Sequence, residues 1–264
     1  MNPSFTLFRQ RLVQQEVMLG TFVKLPTTQA IEIFGATGMD FVVIDQEHAP
    51  LDRAQVDLMV LAGRASNIAP LVRLADASEA SVLSALDCGA SGILVPHVTS
   101  VEKARSIVSA CRYIGGGRGF ASMTRAGLWG SRGRLEHMRA QDTELACIIM
   151  IEDLEAVEHA TEIASVEGVD AVFIGRGDLT AAFGDHPDAA QLAAEAAVRI
   201  AEATRAAGKT LAILAANPAD AATFRALGAS VILVGSDHNF LRSSAANVLR
   251  DHAGIRRHSL PVGI

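Results

Sequence analysis

Short apolar runs alternate along the chain with longer stretches that are rich in Ala and Leu. The runs are dominated by Val, Ile and Leu, and such runs are typical of strands buried on both faces of a parallel sheet. The longer stretches place apolar residues with helical spacing. The pattern predicts eight strands, at positions 18–24, 41–44, 70–73, 92–95, 146–151, 171–174, 211–214 and 231–234.

A predicted helix follows each of these strands. The first begins at Thr28 and ends before Gly38, and the others cover about 51–64, 78–86, 101–113, 154–165, 191–206, 219–227 and 240–250. Eight strand–helix units in one chain of 264 residues predict a single α/β domain, a (β/α)8 TIM barrel that covers residues 1–264. A doubly wound sheet is the alternative, but no glycine-rich phosphate-binding turn follows the first strand.

One connection departs from this rhythm. Residues 114–144, between the helix of the fourth unit and the fifth strand, are predicted to form a long loop with several glycines near its start. Its basic side chains include Arg118, Arg125, Arg132 and Arg134. Long loops in compact domains are usually functional. We therefore expect part of this loop to fold over the active-site face, and a solvated basic surface is the alternative.

Composition narrows the classes of protein that fit this pattern. Half of the residues are hydrophobic but only 5% are aromatic, so the interior must be aliphatic. A formal net charge of −6 argues against a nucleic-acid binder, which needs a basic face. The cysteines Cys88, Cys111 and Cys147 are too few and too far apart for a disulfide framework, and they suit a reducing compartment.

The apolar runs also bear on location. None approaches the roughly 18 residues that a membrane-spanning helix needs. The first residues of the chain lack the charged and then apolar pattern of an export signal. We therefore expect a cytoplasmic protein that does not bind membranes.

Polar residues follow most of the predicted strands. The carboxyl ends of the strands form one rim of a TIM barrel, and its chemistry takes place there. Alone, each such residue has a simpler explanation as a turn former or a helix cap. Together they place carboxylates from four strands on one rim, with arginine and histidine side chains beside them. The rim residues are Asp45, Glu47, His48, Arg73, His97, Glu152, Asp153, Arg176, Gly177, Asp178, Asn217, Ser236 and Asp237.

Such a cluster of carboxylates is costly unless a cation compensates it. Carboxylates without thiolates select a hard divalent cation such as Mg²⁺ or Mn²⁺, and Glu152 with Asp178 would leave coordination positions open for water and substrate. Zinc held by the two rim histidines is a second interpretation, although no zinc motif such as HExxH is present. A third is structural pairing of Arg73 with Glu47 or Glu152.

Several of these residues lie in segments that resemble the HpcH/HpaI family of class II, metal-dependent pyruvate aldolases. That family includes 4-hydroxy-2-oxoheptanedioate aldolase and 2-keto-3-deoxy sugar-acid aldolases. The resemblance covers nearly the whole chain. Its segments are 41–50 (FVVIDQEHAP), 72–73 (VR), 92–96 (GILVP), 151–152 (IE) and 166–179, which contains EGVD, VFIG and DL.

The resemblance implies a metal site. Glu152 and Asp178 resemble the family's metal ligands, for Mg²⁺, Mn²⁺ or Co²⁺, and no organic cofactor is expected. The metal would chelate pyruvate through its keto and carboxylate oxygens and acidify its methyl protons. The backbone N–H groups of Gly177 and Asp178, which open a helix, would hold the pyruvate carboxylate.

The same resemblance implies roles in bond cleavage. His48 resembles the acid and base of the carbon–carbon step, acting through a metal-linked water, and Asp45 would orient its ring. Arg73 would stabilise the enolate oxygen. The expected reaction is the reversible retro-aldol cleavage of a 4-hydroxy-2-oxo acid to an aldehyde and pyruvate, or a close analogue such as hydroxypyruvate. The expected partners are therefore small keto acids and aldehydes.

The resemblance also implies an assembly. Family members are commonly homohexamers, trimers of dimers with exchanged C-terminal helices, and segment 239–250 is apolar enough for such an exchange. In the family, an acidic residue at the place of Asp87 reaches the neighbouring subunit's site, and an exposed helix aspartate is the alternative. Arg118, Arg125 or Arg132 would be available to read a distal carboxylate of the substrate.

Some features leave alternatives open. Met150 stands where the family often has Gln, and Arg176, where it has Pro, would either face an anionic substrate or pair with Glu152 or Asp153. Lys24 also stands at a strand end, so a Schiff-base mechanism on it is an alternative. Other candidate functions are an oxaloacetate decarboxylase, an enolate enzyme with an unusual acceptor, and a non-catalytic keto-acid-binding barrel.

Overall fold

The computed structural model describes residues 4–256 as a closed barrel of eight parallel strands. Each strand pairs with its neighbours in the chain, and β8 pairs with β1 to close the ring. The predicted (β/α)8 TIM barrel is therefore confirmed. The strands are β1 Met18–Val23, β2 Phe41–Asp45, β3 Ala69–Arg73, β4 Gly92–Val95, β5 Ala146–Ile151, β6 Ala171–Ile174, β7 Thr210–Ala215 and β8 Ala229–Ser236.

Helices form the layer outside the barrel. Several of them begin at a Ser, Thr, Asp or Asn whose side chain accepts a hydrogen bond from a backbone N–H of the first turn, which satisfies one of the donors left free at a helix start. A short 3-10 turn covers Leu128–Gly130. The helices are α1 Ser4–Val13, α2 Thr28–Ala36, α3 Arg53–Ala65, α4 Glu79–Asp87, α5 Val101–Cys111, α6 Arg134–Glu144, α7 Leu154–Val157, α8 Ala160–Ala164, α9 Arg176–Ala182, α10 Ala189–Ala206, α11 Pro218–Ala226, α12 Asp237–Asp251 and α13 Ala253–Arg256.

Alternate residues of each strand pack into two different cores. In β2, Phe41 and Val43 belong to the cluster inside the barrel, whereas Val42 and Ile44 belong to the cluster between the barrel and the helices. Successive side chains of a strand point to opposite faces, so a strand that is buried on both faces is apolar throughout. This is why continuous apolar runs located all eight strands.

The helix α1 closes the amino-terminal end of the barrel. Phe8 and Leu12 are buried in the interior cluster, and the ring centre of Phe8 lies 5.5 Å from that of Phe41 at the start of β2. The strand–helix pattern did not predict this helix, although Phe5, Phe8 and Leu12 have helical spacing. Apolar side chains therefore fill this end of the barrel.

Residues 114–144 differ from the predicted long loop. The last third of this segment forms α6, whose buried residues are the polar His137 and Gln141. Because these residues are polar, the sequence shows no apolar periodicity that would predict the helix. In the first part of the segment Arg118 is buried, and its Nη2 lies 3.2 Å from Oδ1 of Asp87 at the end of α4. Helix-to-strand connections lie at the amino-terminal end of such a barrel. Within one chain, the expectation that the segment folds over the active-site face is therefore wrong.

Two further predictions of helices needed adjustment. The helix predicted at 154–165 is divided into α7 and α8, and the short α9 precedes the long helix predicted at 191–206. Within residues 4–256, no helix combines the length and the apolarity that a membrane crossing requires. The cytoplasmic location stays a prediction. The described range leaves out residues 1–3, which belong to the segment that lacks an export-signal pattern. It also leaves out residues 257–264, the end of the predicted domain.

Candidate active site at the carboxyl ends of the strands

A cavity of about 540 Å³ lies at the carboxyl ends of the strands. Four of the predicted site residues line it, and these are His48, Arg73, Gly177 and Asp178. Lys24, at the end of β1, lines it as well. Part of the predicted rim therefore forms a wall of a cavity large enough for a small organic acid.

Asp45 is the buried anchor of this rim. Its carboxylate is completely buried and accepts hydrogen bonds from Nε and Nη2 of Arg73, at 2.9 and 2.7 Å. The Nζ of Lys24 lies 2.9 Å from Oδ2 of the same carboxylate. Burial alone would raise the pKa of Asp45, but the hydrogen bonds and charges of Arg73 and Lys24 lower it to about 2. Asp45 is thus ionised and holds two cations in place.

Asp45 also shapes the turn that carries His48. Its Oδ1 accepts the backbone N–H groups of Glu47 and His48, each at 3.2 Å. The recorded hydrogen bonds of the Asp45 carboxylate therefore go to backbone and to cations, not to the His48 ring. The expectation that Asp45 orients this ring is corrected, because the carboxylate contacts the backbone N–H of His48 and not its imidazole.

Glu47 links the arginine to both rim histidines. Its Oε2 forms an ion pair with Nη1 of Arg73 at 3.0 Å, without hydrogen-bond geometry, and lies 3.7 Å from Nε2 of His48. Its Oε1 lies 3.5 Å from Nε2 of His97. The predicted structural pairing of Arg73 therefore uses Glu47 and Asp45 and not Glu152.

Glu152, at the end of β5, is a buried carboxyl with few compensating charges. It is 1% exposed, and burial raises its pKa to about 7, with a further rise from the nearby carboxylates of Asp178 and Glu47. A Cβ added to Gly175 would lie 2.3 Å from Oε2 of Glu152. Glycine is therefore required there for the carboxylate to occupy this place.

His97 holds Glu152 through its backbone. Its φ of 55° lies in the left-handed region that residues other than glycine rarely adopt. In this conformation its N–H donates to Oε1 of Glu152 at 2.8 Å, and its ring Nδ1 lies 3.2 Å from Oδ2 of Asp153. Burial alone would lower the pKa of His97, but the carboxylates of Glu152, Asp153 and Glu47 raise it.

Three of these side chains form a candidate metal site. One ligand atom each from Glu47, His97 and Glu152 lie within 4.8 Å of one another. The predicted ligand Asp178 is outside this group, exposed in the first turn of α9, yet close enough for its charge to raise the pKa of Glu152. A carboxyl with a raised pKa beside other carboxylates is a place where a bound cation stabilises the ionised form.

This donor set fits a hard divalent cation, since oxygen ligands dominate and an imidazole is tolerated by Mn²⁺ and Co²⁺. The sequence analysis places Glu47 and His97 on the rim, but it predicts a ligand role only for His97, in the interpretation with zinc. The signal for both was present, because each follows the end of a predicted strand. Their proximity to Glu152 follows only from the closed barrel.

Two predicted substrate-binding residues do not reach the rim within one chain. Asp87 ends α4 and pairs with the buried Arg118. The Nη2 of Arg125 lies 2.6 Å from Oδ2 of Asp57. Any contribution of Asp87 or Arg125 to a neighbouring subunit's site therefore stays a prediction.

Arg176 lines the cavity, and its guanidinium is paired with residues of the protein. Three of its five N–H donors are used. Its Nη1 and Nη2 both donate to the carboxylate of Asp220, and Nη2 also donates to the carbonyl oxygen of Leu214 at 2.6 Å. Its guanidinium also lies 4.7 Å from the ring centre of Phe224. Of the two roles open for Arg176, the structure supports pairing, with Asp220 instead of Glu152 or Asp153.

Known proteins are similar in sequence to this chain over most of its length. The HpcH/HpaI aldolase/citrate lyase family matches residues 18–244. The hydroxypyruvate/pyruvate aldolase of Delftia acidovorans is 37% identical over 257 residues, which are 93% of this chain and 92% of that protein. The 2-keto-3-deoxy-L-rhamnonate aldolase of Escherichia coli K12 is 37% identical over 240 residues, 87% of this chain and 86% of that protein.

Solved structures share the fold. An HpcH/HpaI aldolase/citrate lyase family protein from Burkholderia cenocepacia J2315 superposes with a TM-score of 0.86 at 29% identity, over 93% of this chain and 98% of that chain. The citrate synthase SbnG has a TM-score of 0.86 at 28% identity, over 96% and 100%. The expected class of enzyme, a carbon–carbon lyase of the aldolase type, is thereby confirmed. By sequence and by fold, this chain belongs to the HpcH/HpaI aldolase/citrate lyase family.

Proposed function

We propose that this protein is a metal-dependent aldolase that cleaves 4-hydroxy-2-oxo acids reversibly to an aldehyde and pyruvate or hydroxypyruvate. One observation carries the proposal. His48 and the Asp45-anchored Arg73 line one cavity, and Glu47, the ion-pair partner of Arg73, lies with Glu152 in the candidate metal group. The two relatives named above are aldolases for hydroxypyruvate or pyruvate and for 2-keto-3-deoxy-L-rhamnonate, which supports this substrate class.

Glu152 and Asp178 are the residues that we propose to hold the cation, Mg²⁺, Mn²⁺ or Co²⁺, with Glu47 and His97 as further candidates. Such a cation supplies Lewis acidity, which polarises a keto oxygen and lowers the energy of negative charge that develops there. The high pKa of Glu152 supports the assignment, because the ionised carboxylate needs a positive partner at this place.

Arg73 is proposed to stabilise the negative charge on the keto oxygen as the carbon–carbon bond breaks. Its side chain is almost fully buried, and its guanidinium is held by Asp45 on one edge and by Glu47 on another. A cation fixed in this way needs no reorganisation when charge develops, which is the condition for strong electrostatic catalysis.

His48 is proposed to take the proton of the C4 hydroxyl in cleavage and to return it in synthesis. Its side chain is 53% exposed and lines the cavity, so a substrate hydroxyl can approach it. The imidazolium that forms has its Nε2 3.7 Å from Oε2 of Glu47, and this carboxylate stabilises the added charge.

The first turn of α9 is proposed to bind the carboxylate of the keto acid. Gly177 and Asp178 lie in this turn and line the cavity, and the first N–H groups of a helix have no partner within the helix. A Cβ at Gly177 would meet no atom within 4 Å, so the backbone is open to a ligand. These contacts would orient the 2-oxo acid with its keto oxygen toward Arg73.

We also propose a homohexamer, a trimer of dimers, in which α12 is exchanged between subunits. Leu241, Val248 and Leu249 on this helix are 63%, 54% and 53% exposed, a large apolar area for a helix in water. Asp87 and Arg125 would then act on a substrate in a neighbouring site. Light scattering after gel filtration tests the assembly, and Leu249→Asp should reduce its mass.

The test of the proposed function uses protein stripped of metal by a chelator. We expect exchange of the pyruvate methyl protons for deuterium, followed by NMR, only after Mg²⁺, Mn²⁺ or Co²⁺ is added. Glu152→Ala should abolish metal binding in a calorimetric titration, whereas the exposed Glu158→Ala should bind like the wild type. Full exchange and cleavage by the metal-free protein would refute the proposal.

A further inference from the structure

Lys24 is a cation whose place at the cavity is fixed from two sides. Its backbone N–H and that of Leu25 donate to the carboxylate of Asp237, at distances between 2.8 and 3.1 Å. Its Nζ lies 2.9 Å from Oδ2 of Asp45. The side chain is 22% exposed and lines the cavity. Lys24 is therefore held in one position while its end remains accessible.

The ammonium group retains donors for a ligand. It carries three N–H donors, and within residues 4–256 its recorded partner is the Asp45 carboxylate. That carboxylate also accepts two hydrogen bonds from Arg73, so it is shared by two positive groups. Arg73 has Glu47 as a second partner, whereas Lys24 depends on the shared Asp45 carboxylate and is the more exposed of the two cations, at 22% against 8%.

The topology sets which part of a substrate Lys24 meets. In the closed barrel β1 lies opposite β5, four strands away in either direction. Glu152 ends β5 and Asp178 follows β6, so under the proposed function a 2-oxo acid held at these residues would extend across the cavity toward β1. The far end of the substrate is the half that becomes the aldehyde. Arg176 also lines the cavity, but three of its five N–H donors go to Asp220 and the Leu214 carbonyl. Lys24 is the cation that we assign to this half.

We propose that Lys24 binds an anionic group, a carboxylate or a phosphate, on the aldehyde half of the substrate. The inference rests on the proposed aldolase function and assigns the acceptor class of the same cavity. It also assigns to Lys24 a use other than a Schiff base, since that chemistry needs a free neutral amine and Nζ is paired with the Asp45 carboxylate at 2.9 Å.

Two matched pairs of acceptor aldehydes test the proposal, with pyruvate and added metal. Succinic semialdehyde is compared with butanal, and glyceraldehyde 3-phosphate with glyceraldehyde. We expect the wild type to prefer the charged member of at least one pair in kcat/KM, which also tells carboxylate from phosphate. Lys24→Met should lower that preference by about 10- to 100-fold, the worth of a hydrogen bond to a charged group, mainly through KM. Lys24→Arg should restore most of it.

Lys209→Met is the matched control, because the Nζ of Lys209 donates to the Val169 carbonyl at the opposite end of the barrel. The Lys209→Met variant should show the same preference in kcat/KM between paired aldehydes as the wild type. Lys24→Gln, which keeps a donor without the charge, replaces Lys24→Met if that variant does not fold.

Three results would overturn the inference. One is a wild type that shows no preference for a charged aldehyde. Another is a Lys24→Met variant that lowers kcat/KM equally for both members of each pair, which would mean that Lys24 acts only through Asp45. A wild type that exchanges no pyruvate protons with any of the metals refutes the proposed function itself, and the inference falls with it. That failure is seen before any aldehyde is added, so the two are distinguishable.

Discussion

The Arg73 guanidinium and the Asp45 carboxylate form a buried two-pronged ion pair, with Nε–Oδ1 at 2.9 Å and Nη2–Oδ2 at 2.7 Å. The two residues are direct register partners at the carboxyl ends of β2 and β3. Side chains at paired positions of neighbouring strands point to the same face. The sheet itself therefore sets the geometry of this pair, and a change at either residue acts on both the stability and the cavity.

Asp45→Asn should destabilise the protein by about 3–5 kcal/mol, because it removes the buried carboxylate that the buried Arg73 and the partly buried Lys24 share. Activity should fall as well, since Arg73 and Lys24 lose their anchor. Urea unfolding and steady-state kinetics measure the two effects. Asp52→Asn is the control, because Asp52 is an exposed helix cap and Asn caps equally well. A stability loss no greater than that of the control would contradict the role of Asp45.

The ionised Asp45 should also make the stability of the folded protein sensitive to acid. The pKa of this carboxyl is lowered from 3.8 to about 2 in the folded protein. A group with a lowered pKa contributes stability that is present above its unfolded pKa and is lost as the pH falls to the folded value. We expect about 2 kcal/mol to be lost between about pH 4 and pH 2. Chemical unfolding as a function of pH should show this loss in the wild type and not in Asp45→Asn.

In the metal-free protein, Glu152 should make the stability depend on pH in the opposite direction. Its pKa is raised from 4.5 to about 7, so its contribution to stability is present below about pH 4.5 and is lost as the pH rises through 7. We expect the metal-free wild type to lose about 3 kcal/mol from this group over that range. Glu152→Gln should be free of this loss, and Glu158→Gln should behave like the wild type. Equal pH profiles for Glu152→Gln and the wild type would contradict the uncompensated burial of Glu152.

Gly175→Ala should weaken metal binding at least about tenfold, because the new Cβ would lie 2.3 Å from Oε2 of Glu152 and must displace this carboxylate. The measurement is a calorimetric titration with Mn²⁺. Gly133→Ala is the matched control, since a Cβ there would meet no atom within 4 Å and its φ of −61° suits any residue. Unchanged affinity in Gly175→Ala would show that Glu152 does not hold the metal from its present position.

His48→Ala should leave metal affinity nearly unchanged and lower kcat for aldol cleavage by about 10²- to 10⁴-fold, the usual worth of a positioned acid or base. His159→Ala, a change at an exposed residue between α7 and α8, should retain wild-type kcat. Comparison of calorimetry with single-turnover cleavage separates binding from chemistry. If His48→Ala lost the metal and the activity together, His48 would act as a ligand and not as the acid or base.

Phe8→Ala should destabilise the barrel by about 3–5 kcal/mol, because the side chain is 1% exposed and its removal leaves a cavity at the closed end. Metal affinity should be unaffected, since α1 lies at the end of the barrel opposite the rim. Urea unfolding and calorimetry measure the two properties. A loss below about 1 kcal/mol would show that the interior core closes without α1.

The linear pattern was sufficient for the eight strands and for the residues on the rim. Runs such as 41–44 and 171–174 are apolar at every position because both faces of each strand are buried, and this is a local property of the chain. Residues that follow such runs lie at one end of a parallel barrel, so the sequence alone predicts that Asp45, Glu152 and Asp178 lie near one another.

The pattern failed where the packing is polar or belongs to no strand–helix unit. The helix α6 buries His137 and Gln141, which carry no hydrophobic signal, and α1 precedes the first strand. The segment 114–133 between α5 and α6 is held by contacts such as Arg118 with Asp87, which join positions far apart in the chain. No local spacing predicts such contacts.

The sequence by itself determined the fold class and which chemical groups stand at the mouth of the barrel. Only the tertiary structure decided which of them pair. The register of β2 and β3 places the Asp45 carboxylate against Arg73 and not against the His48 ring. The left-handed backbone of His97 directs its N–H to Glu152. The physical reason is that a partner depends on strand register and backbone direction across the closed sheet, whereas a sequence pattern records only the burial of each residue along one strand.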